Sequence, residues 1–170
     1  WPDNGEIRHE FYRLTDEKKM TAPQWHFAAS TRATEELYDC QVDPQNLRNL
    51  ADSRKHQAIL NRLRAAHRKH IRDTVDLGFL PESEAWEMFS EKTGWELGQG
   101  GKVNIATVQK AAAQVGTANE KTFVKNLKAE DASVRYWGAI GLAGLEKLSL
   151  QTKQLLHKKL EDPSPAVRIE

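Results

Sequence analysis

The chain has 170 residues, of which 39% are hydrophobic and 29% charged, and its formal net charge is +1. This length and composition are typical of one globular domain or two small ones, and the near-neutral charge favours no particular partner. No apolar run reaches the roughly 18 residues that a membrane span needs, and the first ten residues lack the basic start and apolar core of a signal peptide. The single cysteine, Cys40, excludes an internal disulfide and a multi-cysteine zinc site.

The first 52 residues predict helices followed by one strand. Ile7, Phe11 and Leu14 recur at spacings of four and three, which predicts an amphipathic helix within residues 5–29. Residues 36–39 (ELYD) have the composition of a short strand, and such a strand needs a partner for its backbone groups. No clear partner strand occurs in the sequence. Together with the absence of an initiator Met, this predicts that the chain is part of a longer protein.

Two further helix starts follow this strand. Asp43 and Pro44 fit an N-cap and a first helical position, because the Asp side chain accepts a backbone N–H and proline lacks one. Asp52 or Ser53 is predicted to cap a long helix that ends near residue 73. The apolar side of that helix is predicted to consist of Ile59, Leu60, Leu63, Ala66 and Ile71.

The second half predicts helices in a repeating order. Residues 82–101 are acidic and then glycine-rich, which is typical of a linker. From Val103 onward the pattern is helical, and Val134-Arg135 returns 33 residues later as Val167-Arg168. Such a period is typical of helical solenoids. The predicted organisation is therefore a first segment over 1–85, a linker over 86–102 and helical repeats over 103–170, with a truncated last repeat.

The long helix is strongly basic and is the candidate for binding an anion. Two interpretations remain open: an anion-binding surface for nucleic acid or a sulfated glycan, or a solvated surface neutralised by the acidic residues that follow. The residues predicted to bind an anion are Arg62, Arg64, Arg68 and Lys69.

No residues form a catalytic or metal-binding pattern. His67 and His70 lie three apart, yet two histidines without a third ligand are more typical of a helix surface than of a metal site. Cys40 has no base predicted beside it and is better interpreted as filling a small apolar gap. The glycines near residue 100 match neither phosphate-binding template. We therefore predict no catalytic, cofactor-binding or metal-binding residue in this chain.

The stretch ATEELYDCQVDPQNLRNLAD, with the basic helix after it, resembles the C-terminal segment of sulfatases. The matching residues are Glu36, Leu37, Tyr38, Asp39, Asp43, Pro44, Asn49, Leu50 and Ala51, and Asn46 replaces the usual Glu. The flanking stretches EFYRLTDEKKMTAPQWHF and DLGFLPESE resemble bacterial relatives of heparan N-sulfatase (sulfoglucosamine sulfohydrolase). The resemblance covers residues 5–85. It implies a small subdomain, a short strand element with a long helix, docked on a large catalytic domain.

The second half resembles HEAT repeats, in ASVRYWGAIGLAGL and LEDPSPAVRIE. This resemblance implies structural roles for Val134, Arg135, Val167 and Arg168 and a protein partner for the repeats. The sulfatase resemblance implies that calcium and formylglycine belong to a catalytic domain absent from this sequence, because no C-x-P/A-S-R motif occurs in it. It also implies a sulfated glycan as substrate of the whole enzyme and a periplasmic or extracellular location.

These observations predict a mainly α chain with a small β element (α+β). They favour the non-catalytic C-terminal part of a sulfatase, an enzyme that hydrolyses sulfate esters or sulfamates, with an appended helical-repeat segment. The alternative is a free-standing helical-repeat module that binds a protein. A nucleic-acid binder is a third, less favoured interpretation, since the charges ring the helix and do not alternate with exposed aromatic residues.

Overall fold

A computed structural model describes residues 5–29, 32–101 and 103–169, and predictions that fall on the other residues lie outside it. The described residues form ten α-helices joined by turns and loops. Their bounds are α1 (Glu6–Asp16), α2 (Ala22–Ala28), α3 (Gln57–Thr74), α4 (Glu82–Phe89), α5 (Gly94–Gln99), α6 (Ile105–Ala112), α7 (Glu120–Leu127), α8 (Ala132–Ala143), α9 (Leu150–Lys159) and α10 (Pro165–Ile169). None of these described helices is long and apolar enough to cross a membrane.

The prediction of a strand at residues 36–39, and with it the α+β class, is wrong. The described residues contain no strand, and the fold class is all-α. One backbone hydrogen bond joins this segment to the next, from Leu50 N to Leu37 O at 2.7 Å. The Leu37 N–H instead donates to the side-chain oxygen of Asn49 at 2.9 Å. Because a carboxamide takes the place of a backbone acceptor, no ladder forms.

The predicted helix start at Asp43-Pro44 is also wrong, since residues 44–52 form turns. The Asp43 carboxylate accepts a hydrogen bond from the Arg48 N–H at 2.8 Å, five residues ahead, and so closes a loop. Asn46 has φ of 54°, in the left-handed region that asparagine tolerates better than most residues. A residue in this conformation interrupts a right-handed helix.

The other helix predictions agree with the structure in kind and differ at the ends. Two helices, α1 and α2, fill the predicted 5–29 region, and Pro23 lies in the first turn of α2. The long basic helix, α3, starts after a 3₁₀ turn at Arg54–His56 and ends within one residue of the predicted position. The segment interpreted as a linker contains α4 and α5.

The chain divides into two compact units, residues 1–62 (unit 1) and 63–170 (unit 2), with the division inside α3. This division does not test the predicted boundaries at residues 85 and 102, which remain predictions. Unit 1 has a single buried apolar side chain among its described residues, Leu60. It exposes several large apolar residues, including Ile7 at 74%, Phe27 at 63% and Trp25 at 49%.

Unit 2 contains two hydrophobic clusters. The first gathers residues of α3, α6 and α8 with Leu80, namely Ile71, Leu80, Ile105, Val108, Ala111 and Val134. The second lies largely between α7 and α8 and consists of Phe123, Leu127, Ala139, Leu142 and Val167. Burying these side chains supplies most of the stabilisation of unit 2, since removal of apolar surface from water is the dominant favourable contribution to folding.

Side-chain caps explain why the helices of unit 2 begin where they do. The capping residues of α6, α7, α8 and α9 are Asn104, Asn119, Asp131 and Ser149. Each accepts a hydrogen bond from the backbone N–H three residues ahead, which satisfies a donor that has no partner inside the helix. The sequence therefore specifies each of these starts locally.

Candidate functional site

The four predicted anion-binding residues lie on α3 but do not share one side of it. Arg64 and Arg68 are four residues apart and continue to Arg72 on one side of the helix. Arg62 and Lys69, seven residues apart, lie on another side. Lys69 forms an ion pair with Asp73, and both side chains are more than half exposed. An exposed pair of this kind contributes little to stability, about 0.3–0.5 kcal/mol.

Arg68 and Arg72 lie near a third cation, Lys110, which belongs to α6. These three residues line a groove of about 370 Å³ between the two helices. The groove is also lined by Gln109 and Gln114 and by no carboxylate. Three cations around one concave surface give a positive potential that attracts an anion.

Gln109 organises the floor of this groove. Gln109 is buried, with an exposed fraction of 5%. The carboxamide oxygen accepts a hydrogen bond from Arg72 Nη1 at 3.2 Å, and the carboxamide nitrogen donates to the Arg68 carbonyl at 3.2 Å. Both ends of a buried polar group are thus satisfied, and the guanidinium of Arg72 is held in place.

Sequence reasoning missed Arg72 and Lys110 as partners of Arg68. Arg72 belongs to the same basic helix, and the spacing of four from Arg68 was the available signal. Lys110 belongs to α6 and lies 36 residues beyond Thr74, the last residue of α3, so no local pattern links it to Arg68. The packing of α6 against α3 brings it there.

The side chain of Asn49 organises the loop of residues 35–52, which we call the motif loop of unit 1. Its oxygen accepts from the N–H groups of Leu37 at 2.9 Å and Ala51 at 3.0 Å, and its nitrogen donates to the Glu35 carbonyl at 3.0 Å. One carboxamide therefore satisfies three backbone groups from two segments. These three hydrogen bonds, which we call the clip, satisfy backbone groups that a strand would have paired with a partner strand.

A depression of about 530 Å³ lies beside this clip, and the motif carboxylates Asp39 and Asp43 line it. Asp39 accepts from the Gln41 N–H at 3.1 Å. The hydrogen bonds that Asp43 receives from the backbone of Arg48 and Leu47 lower the pKa of its carboxyl. Both carboxylates accept hydrogen bonds from backbone N–H groups and so shape the loop.

Two further polar pairs belong to the same segment. Arg32 donates to Glu36 at 2.6 Å, and this hydrogen bond lowers the pKa of the Glu36 carboxyl. The Tyr38 hydroxyl lies 3.4 Å from His26 Nε2. The pKa of the Tyr38 hydroxyl is raised, mainly because burial removes water from it and secondly because it hydrogen-bonds to Glu36. The contact between Tyr38 and His26 connects α2 to the motif loop within unit 1.

The remaining chemical candidates are Cys40, His67 and His70. Cys40 is exposed and its thiol donates weakly to the Asn46 carboxamide at 3.5 Å, which is not a base. Among the described residues, His67 and His70 belong to no group of three His, Cys, Asp or Glu side chains that could hold a metal ion.

A repeated hydrogen-bond pattern occurs at Arg135 and Arg168, which are 33 residues apart. Arg135 Nη1 donates to the carbonyls of Ala129 and Glu130, six and five residues earlier. Arg168 Nη1 donates to the carbonyls of Asp162 and Pro163, again six and five residues earlier. Arg135 also forms an ion pair with Asp162 at 2.8 Å. This pair links the turn before α8 to the turn before α10.

A comparison with curated proteins finds a relative of part of this chain. An ulvan-active sulfatase from Formosa agariphila is 36% identical to it over 75 residues. The match covers 44% of this chain and 13% of the length of that protein. No family model matches the chain, and no solved structure matches it. The chain therefore contains a sulfatase-related region that corresponds to a small part of the relative.

Proposed function

We propose that this chain is a non-catalytic C-terminal part of a sulfatase that hydrolyses sulfate esters or sulfamates of a sulfated polysaccharide. The observation that carries the proposal is the 36% identity over 75 residues with a sulfatase. The sequence of the motif loop around Asn49, which resembles the C-terminal segments of sulfatases, supports it. The substrate class is a polysaccharide because the relative is described as active on ulvan and the sequence resembles enzymes that act on heparan sulfate.

In this proposal, unit 1 packs against a catalytic domain. Its large apolar residues Ile7, Trp25 and Phe27 are about half or more exposed, and it buries only Leu60 among its described apolar residues. Large exposed apolar side chains that gather in a patch are typical of an interaction site, and the proposal assigns these residues to one. Calcium and formylglycine would belong to the catalytic domain, which would be exported to the periplasm or the cell exterior.

The second half would be a HEAT-like interaction segment appended to this subdomain. The repeated hydrogen bonds of Arg135 and Arg168 to carbonyls at the same spacing support this interpretation. A free-standing helical-repeat module that binds a protein is the second candidate function. The two hydrophobic clusters of unit 2 favour it, since they give that unit a core of its own.

The decisive experiment is to sequence the native gene several hundred codons upstream of the Trp1 codon and to express the complete reading frame. We expect a C-x-P/A-S-R motif upstream and release of inorganic sulfate from ulvan or heparan sulfate by the full protein. Replacement of the motif cysteine by Ala should abolish sulfate release and serves as the control. A start codon directly before Trp1 would contradict the sulfatase proposal and leave the binding module.

A further inference from the structure

Unit 2 carries two adjoining grooves that share residues. The first is the α3–α6 groove described above. The second lies between α6 and α7 and has a volume of about 970 Å³. Lys110 and Gln114 line both, so the two form one continuous surface that crosses three helices. We name it the basic groove, and its cations are Arg68, Arg72, Lys110, Lys121, Lys125 and Lys128.

We propose that the basic groove binds a linear sulfated polysaccharide chain through its sulfate groups. This inference rests on the proposed function and names the ligand class of a surface on unit 2. The chain as a whole has 25 basic and 24 acidic residues, so its charge is nearly balanced. The basic groove has six cations and one carboxylate, that of Glu130, among its lining residues. Charge is therefore strongly segregated on this surface.

The cations of the basic groove are available for a ligand. Within the described part of the chain, none of the six forms an ion pair, whereas Lys69, Arg135 and Lys159 each pair with a carboxylate. All six side chains belong to exposed residues. A polyanion would thus meet six positive charges without first displacing a protein carboxylate.

The polar groups between these cations are held in position. Buried Gln109 accepts from Arg72, as described above, and fixes that guanidinium. At the junction of the two grooves, Asn126 donates to the Gln114 oxygen at 2.7 Å. This leaves the amide nitrogen of Gln114 as a donor toward the groove. An oxyanion at the junction would receive hydrogen bonds from Lys110 and Gln114 together.

The lining favours a sulfated glycan over a single-stranded nucleic acid. Single-stranded nucleic acid is held by aromatic side chains on which bases stack, as well as by charge. No aromatic residue lines either part of the basic groove. Sulfate groups spaced along a polysaccharide require only repeated cations and hydrogen-bond donors, which the groove supplies.

The test measures binding of heparin, a commercially available sulfated polysaccharide, to the 170-residue chain by isothermal titration calorimetry. The variant K110Q/K125Q removes two groove charges, and K153Q/K158Q removes two exposed charges on α9 outside the groove. Both variants change the net charge equally. We expect the groove variant to weaken binding about tenfold and the α9 variant by less than about twofold, on the scale of exposed charge pairs. Circular dichroism should show unchanged helix content in both.

Three results would overturn the proposal: equal weakening by both variants, equal affinity for N- and O-desulfated heparin, or equal affinity for a poly-dT oligonucleotide of matched charge. The last result would indicate a nucleic-acid surface. The outcome is independent of sulfate release by the complete reading frame. If the complete protein releases sulfate but the chain does not bind heparin, only the groove proposal is contradicted. If the chain binds heparin but no sulfatase motif lies upstream, only the sulfatase proposal is contradicted.

Discussion

At the scale of single residues, two side chains satisfy several partners each. Asn49 serves three backbone groups of the motif loop in unit 1. In unit 2, Asp162 is almost fully buried and accepts hydrogen bonds from Arg135, Lys159 and the Ser164 N–H. Such residues matter more than their surface area suggests, because removing one leaves several groups without a partner.

Replacing Asn49 by Ala should release the motif loop. The free energy of opening this loop should fall by about 1–3 kcal/mol, because the Leu37 and Ala51 N–H groups and the Glu35 carbonyl lose their partner. Amide hydrogen exchange measured by NMR at Leu37 and Ala51 should become correspondingly faster. Gln45→Ala, at an exposed position in the same loop, is the control. Unchanged exchange in the Asn49 variant would show that the clip does not hold the loop.

Asp162 should make the stability of unit 2 depend on acid pH. Burial would raise the pKa of this carboxyl, but hydrogen bonds from Arg135, Lys159 and the Ser164 N–H outweigh burial and lower it to about 2. A lowered pKa stabilises the folded state above the unfolded pKa of about 3.9, and the stabilisation is lost as the pH falls toward 2. The contribution is about 2 kcal/mol.

Urea unfolding between pH 2 and pH 6 checks this dependence by comparing the native chain with Asp162→Asn. The difference in their unfolding free energies should shrink by about 2 kcal/mol as the pH falls from 5 to 2. Glu161→Gln, which changes an exposed neighbouring carboxylate, should follow the native chain across the range. A constant difference between native chain and Asp162→Asn would refute the assignment.

At the scale of elements, the most extensive contact between helices of the described fold is that of α7 with α8, and glycine permits it. A Cβ atom placed on Gly138 would lie 2.6 Å from the backbone nitrogen of Leu127, and one on Gly141 would overlap the Phe123 ring. Phe123 and Leu127 have no exposed surface. The two glycines therefore lower the helix propensity of α8 and in return allow the second hydrophobic cluster to form.

Gly141→Ala should destabilise unit 2 by about 1–3 kcal/mol or more, although alanine is the better helix former by about 1 kcal/mol. The overlap with a buried ring is the reason. Thermal unfolding followed by circular dichroism measures the effect. The matched control is Gly144→Ala, where an added Cβ meets its nearest neighbours at 3.8 Å. The double variant with Phe123→Leu should recover part of the loss, and a stability gain in Gly141→Ala would contradict the packing argument.

At the scale of the whole molecule, burial differs sharply between the units. Unit 1 buries one apolar side chain among its described residues, whereas unit 2 contains two hydrophobic clusters. Local opening is easiest where few apolar contacts would be lost. The two units should therefore unfold at different free energies.

Limited trypsin digestion of the chain should cut first in unit 1. We expect cleavage after Arg32 and Arg48 well before cleavage after Lys125 or Arg135, because the latter two belong to helices α7 and α8 that carry the second cluster. Mass spectrometry of timed samples gives the order. Digestion in denaturant is the control, since all sites should then be cut at similar rates. Early cleavage within α7 or α8 under native conditions would contradict this order.

The sequence alone determined what is set by neighbouring residues. The caps Asn104, Asn119, Asp131 and Ser149 and the apolar periodicity fix the helices of unit 2, and the 33-residue recurrence of Val-Arg is matched by equal hydrogen bonds of Arg135 and Arg168. Both are local, since a cap acts on the next turn and each arginine reaches carbonyls five and six residues away.

Tertiary structure decided what depends on distant residues. Whether residues 36–39 form a strand depended on Asn49, whose carboxamide occupies a position that a partner strand would fill. Ile59 and Leu63, predicted to face a core, remain 44% and 43% exposed, while Leu60 and Ile71 are buried. The grouping of Arg68 with Arg72 and Lys110 follows from packing of α6 on α3. Side-chain contacts between residues far apart in sequence leave no periodic signal, so only the folded chain reveals them.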